Sequence, residues 1–331
     1  GMPETASASG PFACSVPTRH AMTRKHASLI GWGHYAPENV VTNADLEKIV
    51  DTSDEWIKSR SGIERRHFVS EDQATSDLSI EAGRRALEMS GVAPEDVDLV
   101  IVATSSPDYL TPPVSSQVQH GLGCVNAGAF AMMVGCTGFV YGLVTADQFI
   151  QTGAYKTILV VGAEVISKNL DMTDRTTCVL FGDGAGAVVL QATDAPCGVR
   201  SFELGSDGSQ AEALIAPCPG TRNPVSQYAV DNRTHYLRMD GRAVFKFATR
   251  TMTESLQRVM GKAGVGVDDV DLFIPHQANA RIIEYAAKTL ALPREAPSVR
   301  IASGKDPRIR EKAKQVGSSV KMMSRDELLE M

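Results

Sequence analysis

The amino-acid sequence predicts a mixed α/β protein built from two related halves, and three observations carry that prediction. Short apolar runs alternate with amphipathic stretches, punctuated by Gly, Asp, Asn and Pro. A segment recurs: Gly91-Val92-Ala93-Pro94-Glu95-Asp96-Val97-Asp98-Leu99 and Gly264-Val265-Gly266-Val267-Asp268-Asp269-Val270-Asp271-Leu272 agree at Gly, Val, Asp, Val, Asp and Leu. Finally, 331 residues at 43% hydrophobic content can bury a large core, as two domains or as two halves of one.

Along the chain, residues 1–23 are rich in Ser, Pro, Thr and Ala with no apolar h-region, so a disordered extension is expected rather than a secretory signal. Met22, just ahead of the first strand-like run at Ala27 to Gly31, is a candidate natural start, and a transit peptide is the alternative. The two halves are expected over 24–195 and 196–331. In the first, a helical stretch from Ser79 to Met89 leads through the repeated acidic turn to a strand from Val100 to Ala103. In the second, Thr249 to Lys262 leads the same way to Phe273 and Ile274. A repeated helix-turn-strand unit gives two related sheets packed through shared helices. Unrelated α/β segments share this punctuation too, so the two segments by themselves leave chance similarity open.

Composition removes several function classes. A formal charge of -6 without long runs of one sign argues against nucleic acid as the main partner. No apolar run is long enough to span a bilayer, so no membrane role is expected. Cys14, Cys124, Cys136, Cys178, Cys197 and Cys218 show no C-x-x-C pair and no zinc spacing. They read as reduced thiols in a cytoplasmic protein, with no metal. Asn232-Arg233-Thr234 fits a glycosylation pattern, which means nothing without a secretory route.

Chemistry concentrates at two places. An apolar run from Ala129 to Val134 is followed by Gly135-Cys136-Thr137-Gly138 and then by Phe139, Leu143, Ala146 and Ile150 at helical spacing. Cys136 therefore stands where a strand turns into a helix, and the helix N-terminus is expected to lower its thiol pKa and to offer an amide to an oxyanion. A small buried cysteine packing a helix start fits the same pattern. The second place is Phe273-Ile274-Pro275-His276-Gln277-Ala278-Asn279, which ends the strand of the second repeat before a helix starting near Ala280. Polar groups at a sheet's carboxyl edge suit a site, and Cys and His from equivalent repeat positions can converge, although a lone His there is often a capping residue. Phe181-Gly182-Asp183-Gly184-Ala185-Gly186-Ala187 lacks dinucleotide spacing and leads into the strand-like Val188-Val189-Leu190, so a tight turn between strands is expected.

Five motifs in order, Asp51-Thr52-Ser53-Asp54-Glu55-Trp56-Ile57, Arg60-Ser61-Gly62-Ile63, Cys136-Thr137-Gly138-Phe139, Phe181-Gly182-Asp183-Gly184-Ala185-Gly186 and Pro275-His276-Gln277-Ala278-Asn279, resemble the signatures of β-ketoacyl-acyl carrier protein synthase III from about Ser28 to Pro293. The resemblance implies a thiolase fold, two βαβαβαββ halves in a five-layered αβαβα sandwich, and an acyltransferase that starts fatty-acid or polyketide synthesis. It implies Cys136 as the nucleophile taking an acyl group from acyl-CoA, and His276 as the stabiliser of charge when malonyl-acyl carrier protein loses CO₂, with Asn279 beside the thioester. Thr52, Trp56, Arg60 and Arg175 match positions holding CoA, and Phe245 a channel position. Lys246, Arg281 and Lys288 match the docking surface for the acidic carrier protein. From the residues alone, Trp56 also reads as a core aromatic and the arginines as a solvated face. A homodimer is implied, and no cofactor beyond the CoA thioester that serves as substrate.

After Leu290-Ala291-Leu292-Pro293 the resemblance stops. The family continues into an Asn-Thr-Ser-Ala segment and a Gly-rich strand, whereas this chain has no Asn after Asn279 and places Lys305-Asp306-Pro307-Arg308 there. The second half is therefore expected to be incomplete. Acyl loading of Cys136 is expected to persist and decarboxylation to be poor. Acyl transfer to an O, N or S nucleophile, or a non-catalytic partner subunit, are the other readings.

Overall fold

In chain order the first half contains β1 (His26–Tyr35), β2 (Asn39–Thr42), α1 (Asn43–Leu46), α2 (Asp54–Ser61), β3 (Arg65–Phe68), α3 (Thr75–Ser90), β4 (Leu99–Ala103), α4 (Val114–Gly121), β5 (Gly128–Met132), α5 (Gly138–Gln151), β6 (Thr157–Glu164) and β7 (Gly184–Thr193). The second half contains β8 (Leu214–Ile215), α6 (Gln227–Asp231), β9 (Arg238–Met239), α7 (Gly241–Ala263), β10 (Leu272–Phe273), α8 (Ala280–Thr289) and β11 (Arg300–Ile301). The computed structural model describes residues 25–270, 272–291 and 300–301; the expected extension over 1–23, and the divergent tail apart from 300–301, lie outside them.

Five strands form one mixed sheet in the order β1-β7-β6-β4-β5. β4 runs parallel to both β5 and β6, and β7 runs antiparallel to β6 and β1. Every residue of β4 is buried, because helices cover both faces, and this is why it reads as an unbroken apolar run. The pleat sends Val100 and Val102 to the face packed by Ala82 and Ala86 of α3 and Val118 of α4. Leu99 and Ile101 go to the opposite face, against Ala146 and Ile150 of α5. Each such side chain contributes about 1.5–3 kcal/mol by leaving water. Close approach of α3 to β1 depends on Gly33, where an added Cβ would lie 2.3 Å from the Ala82 carbonyl oxygen.

The repeat is a structural one. Gly91 and Gly264 both end their helices in the left-handed conformation, with φ of 68° and 67°. Each is followed by a 3₁₀ turn, Pro94–Asp96 or Val267–Asp269, and then by a strand. Beyond that point the halves part. β4 sits inside a five-stranded sheet, whereas β10 has two residues and pairs in parallel with β11. Among the described residues the strands of the second half form two-stranded pairs, and the stretch over which that half is expected to be incomplete lies, apart from 300–301, outside them. The glycine run also differs from its expectation. The turn covers only 181–183, and Gly184 and Gly186 already belong to β7, between β1 and β6.

Candidate active site

Because β4, β5 and β6 are parallel, their carboxyl ends share one edge of the sheet. β5 stops at Met132, and the chain then forms a 3₁₀ turn, Gly135–Thr137, before α5 begins at Gly138. Gly135 enters that turn at φ 59°, a conformation that glycine adopts without steric cost. Gly138 lets the head of α5 press on β4: a Cβ there would lie 2.8 Å from that of Ala103. Thr104 N donates to Met132 O at 3.1 Å, joining the ends of β4 and β5. Cys136, in the middle of the turn, is exposed.

A carboxylate that the sequence reading missed lies beside this turn. Glu164, the last residue of β6, accepts from Ser105 N at 2.9 Å and Ser106 Oγ at 2.6 Å, with Thr104 Oγ1 at 3.4 Å. Ser106 Oγ in turn accepts from Val165 N at 2.8 Å, so the turn after β4 is sewn to the end of β6. Burial pushes the Glu164 carboxyl above its ordinary value, against the pull of those donors. The available signal was an acid closing the otherwise apolar run Thr157–Glu164, at the edge where α/β proteins gather polar groups.

The expected lowering of the Cys136 pKa is corrected. Burial raises it, the negative charge of Glu164 raises it further, and the backbone hydrogen bond at the turn opposes both only in part. The sulfur is accessible, yet protein crowds it closely enough that lost hydration and a like charge outweigh the backbone hydrogen bond.

His276 follows β10 on the way to α8, and burial lowers its imidazole pKa. Asn279 is the N-cap of α8, accepting from Arg281 N at 2.9 Å, and its Nδ2 donates to the Arg60 carbonyl at 3.2 Å. Oδ1 of Asn279 is therefore engaged in capping α8, and Nδ2 in tying that helix to α2. Among the described residues, no hydrogen bond joins Cys136 to His276.

Trp56, Arg60 and Arg175 form one cluster. The guanidinium carbons of Arg60 and Arg175 lie 6.0 Å and 5.3 Å from the indole centroid. Trp56 also packs on the core of Leu46, Ile57, Cys178 and Val179, in keeping with its reading as a core aromatic. Arg175 is anchored through Asp51, bonding its carbonyl at 2.9 Å and its carboxylate at 3.2 Å. The buried Thr52 Oγ1 makes no hydrogen bond among the described residues. On the second half, Lys246, Arg281 and Lys288 are all exposed on the packed pair α7 and α8, with Arg281 5.8 Å from the ring centroid of Phe245.

Family models described as 3-oxoacyl-[acyl-carrier-protein (ACP)] synthase III and its C terminal match residues 130–208 and 260–303. The chain is 48% identical over 266 residues to beta-ketoacyl-[acyl-carrier-protein] synthase III of Caldanaerobacter subterraneus, covering 80% of each. To the same enzyme of Clostridium acetobutylicum it is 51% identical over 264 residues, again 80% of each. The solved 3-oxoacyl-[acyl-carrier-protein] synthase III of Aquifex aeolicus superposes with a TM-score of 0.76 at 39% identity, covering 88% of this chain and 92% of that one. The priming β-ketosynthase of the R1128 polyketide pathway gives 0.77 at 33%, covering 86% and 84%. A five-stranded mixed sheet ending in a cysteine turn, a second repeat ending in a histidine, and identity of this extent lead to one statement: this thiolase-fold chain belongs to the β-ketoacyl-[acyl-carrier-protein] synthase III family.

Proposed function

We propose that this chain starts fatty-acid or polyketide synthesis by condensing an acyl-CoA with malonyl-acyl carrier protein through an acyl-Cys136 thioester. The observation that carries the reading is the exposed Cys136 held between the carboxyl ends of three parallel strands and the head of α5. Its sulfur attacks the acyl-CoA carbonyl, an S–C bond forms, and CoA leaves with the cysteine proton. The malonyl group then loses CO₂, and the electron pair left behind attacks the acyl carbon, expelling the Cys136 sulfur, which is reprotonated. Burial of His276 favours its neutral form, whose N–H donates to the enolate oxygen without bringing a full charge. Backbone amides at the start of α5 face the oxyanion of the acyl transfer.

In this reading Trp56, Arg60, Arg175 and Thr52 hold the CoA nucleotide, the two guanidinium groups meeting its phosphates. Phe245 lines the substrate channel and Asn279 stands beside the thioester. The cations Lys246, Arg281 and Lys288 dock the acidic carrier protein. The protein is a cytoplasmic homodimer: β5 is an edge strand, and Val125 and Met133 flanking it are 75% and 65% exposed, which suits pairing with a second copy. Acyl transfer to an O, N or S nucleophile without decarboxylation is the second reading, favoured by the lack of any Asn after Asn279.

Intact mass after incubation with acetyl-CoA is expected to show one acetyl group, lost in Cys136→Ala. No gain, or a gain that survives the substitution, overturns the reading. Added malonyl-acyl carrier protein is expected to yield the 3-oxoacyl product slowly, whereas a loaded enzyme that forms none while acylating another nucleophile establishes the second reading.

A further inference from the structure

We propose that Glu164 is a positioning residue for Cys136: its carboxylate anchors the turn after β4 and sets a negative charge beside the nucleophile. The inference rests on Cys136 being the acyl acceptor. Its geometry is independent of that reading. β6 and β5 flank β4 in parallel, with Ala103 level with both Met132 and Gly162. Glu164 lies two residues beyond Gly162, and Cys136 follows Met132 through its short turn. The three strand ends are bound into one unit by Thr104 N to Met132 O and by Ser105 N and Ser106 Oγ to Glu164. Phe139, the second residue of α5, lays its ring 3.4 Å from where a Gly162 Cβ would stand, so the helix head also rests on β6. A shift of Glu164 therefore moves the surface on which the nucleophile's turn is built.

Among the described residues, the other groups near this corner do not duplicate that charge. β4 and β5 carry no ionisable side chain. On α5, Tyr141 donates to the Gly205 carbonyl, and Asp147 stands nine positions beyond Gly138, about 13 Å along the helix. Asp108 accepts from Ser76 N and Oγ at the start of α3. His276 is the other ionisable group assigned to the site, and burial favours its uncharged form. Among the described residues, Glu164 is the charged group that acts on the Cys136 sulfur, at the corner where the ends of β4, β5 and β6 meet.

The chemical consequence concerns timing. A cysteine facing a carboxylate rests as a thiol and, once acylated, is a more basic and slower leaving group. The acyl-enzyme then resists water until the carbanion of the second substrate arrives.

The test is the pH dependence of Cys136 alkylation by iodoacetamide, read by mass on the Cys136 peptide so that the other cysteines do not interfere. Glu164→Gln keeps the shape and removes the charge, and the alkylation midpoint is expected to fall by about half a unit to one unit. Glu164→Asp keeps the charge and is expected to hold the midpoint near that of the parent while slowing acyl loading at least tenfold. An unchanged midpoint in a folded Glu164→Gln protein overturns the proposal. If that variant does not fold, carbon-detected titration of the Glu164 carboxyl in the parent chain decides. A second inflection is expected where Cys136 ionises, and it is expected to vanish once Cys136 carries a carboxamidomethyl group. Its absence from the parent refutes the pairing. The two deciding readouts, the alkylation midpoint and the carboxyl titration, do not involve acyl-CoA, so failure here is separate from failure of Cys136 to take an acyl group.

Discussion

Gly138→Ala places one methyl group where the head of α5 meets β4. The new Cβ would stand 2.8 Å from the Ala103 Cβ, and Ala103 is itself 4% exposed in the core. Carbon atoms pack favourably at about 3.5–4.0 Å, so the helix head must retreat by roughly 1 Å. Overpacking of this kind costs about 1–3 kcal/mol, partly offset by up to about 1 kcal/mol from the better helix propensity of alanine. The net loss of stability is expected to be about 0–2 kcal/mol, modest enough to leave a folded protein. Activity is expected to suffer more, because Cys136 lies two residues before the altered position and misplacement by about 1 Å costs about 100-fold. Two measurements separate the effects: denaturant unfolding, and rapid-quench mass spectrometry of Cys136 acetylation. Ala103→Gly removes the opposing methyl, so the double variant Gly138→Ala/Ala103→Gly is expected to recover most of the loading rate. Parent-like loading by Gly138→Ala alone would falsify the argument, and so would a double variant no better than the single one.

Two further substitutions probe the arm beside the tryptophan cluster. Arg66, 5% exposed, donates to Val41 O at 3.3 Å, Asn43 Oδ1 at 2.9 Å and Val179 O at 2.8 Å. Arg66→Met strands those acceptors and is expected to cost about 2 kcal/mol by urea unfolding; equal or greater stability would show that desolving the cation outweighs its bonds. Trp56→Leu keeps an apolar side chain against Leu46 and Ile57 but removes the ring beneath Arg60 and Arg175, and is expected to raise the KM for acyl-CoA about tenfold with little change in kcat. A fall in kcat alone would assign Trp56 to packing.

Much of this was legible in the sequence, for reasons that differ by element. The run from Val100 to Ala103 announces a doubly covered strand, and the spacing of Phe139, Leu143, Ala146 and Ile150 announces α5, because both patterns record local burial. Gly91 and Gly264 mark equivalent helix ends, since left-handed caps favour glycine. The pKa of Cys136 was not legible. It depends on Glu164, 28 positions away in sequence and brought near only by β4 lying between β5 and β6. Asn279 was legible as a polar residue beside a helix start, but its bond to the Arg60 carbonyl spans the two halves, and no local pattern encodes that.

The separation of the hydrophobic cores bears on how the protein comes into being. Among the described residues, the three clusters that support the cysteine turn and the tryptophan cluster draw all their members from the stretch between Ala27 and Ala192, and the fourth, around Ala287 and Leu290, draws none from it. A ribosome that has released the first two hundred or so residues has thus already supplied every described side chain of the nucleophile's core, and N-terminal units generally fold first during synthesis. The later half then adds its histidine and its basic helix to a scaffold that does not wait for them. Sequence change beyond Pro293 therefore falls on the later-made half, leaving the earlier one with its apolar interior whole.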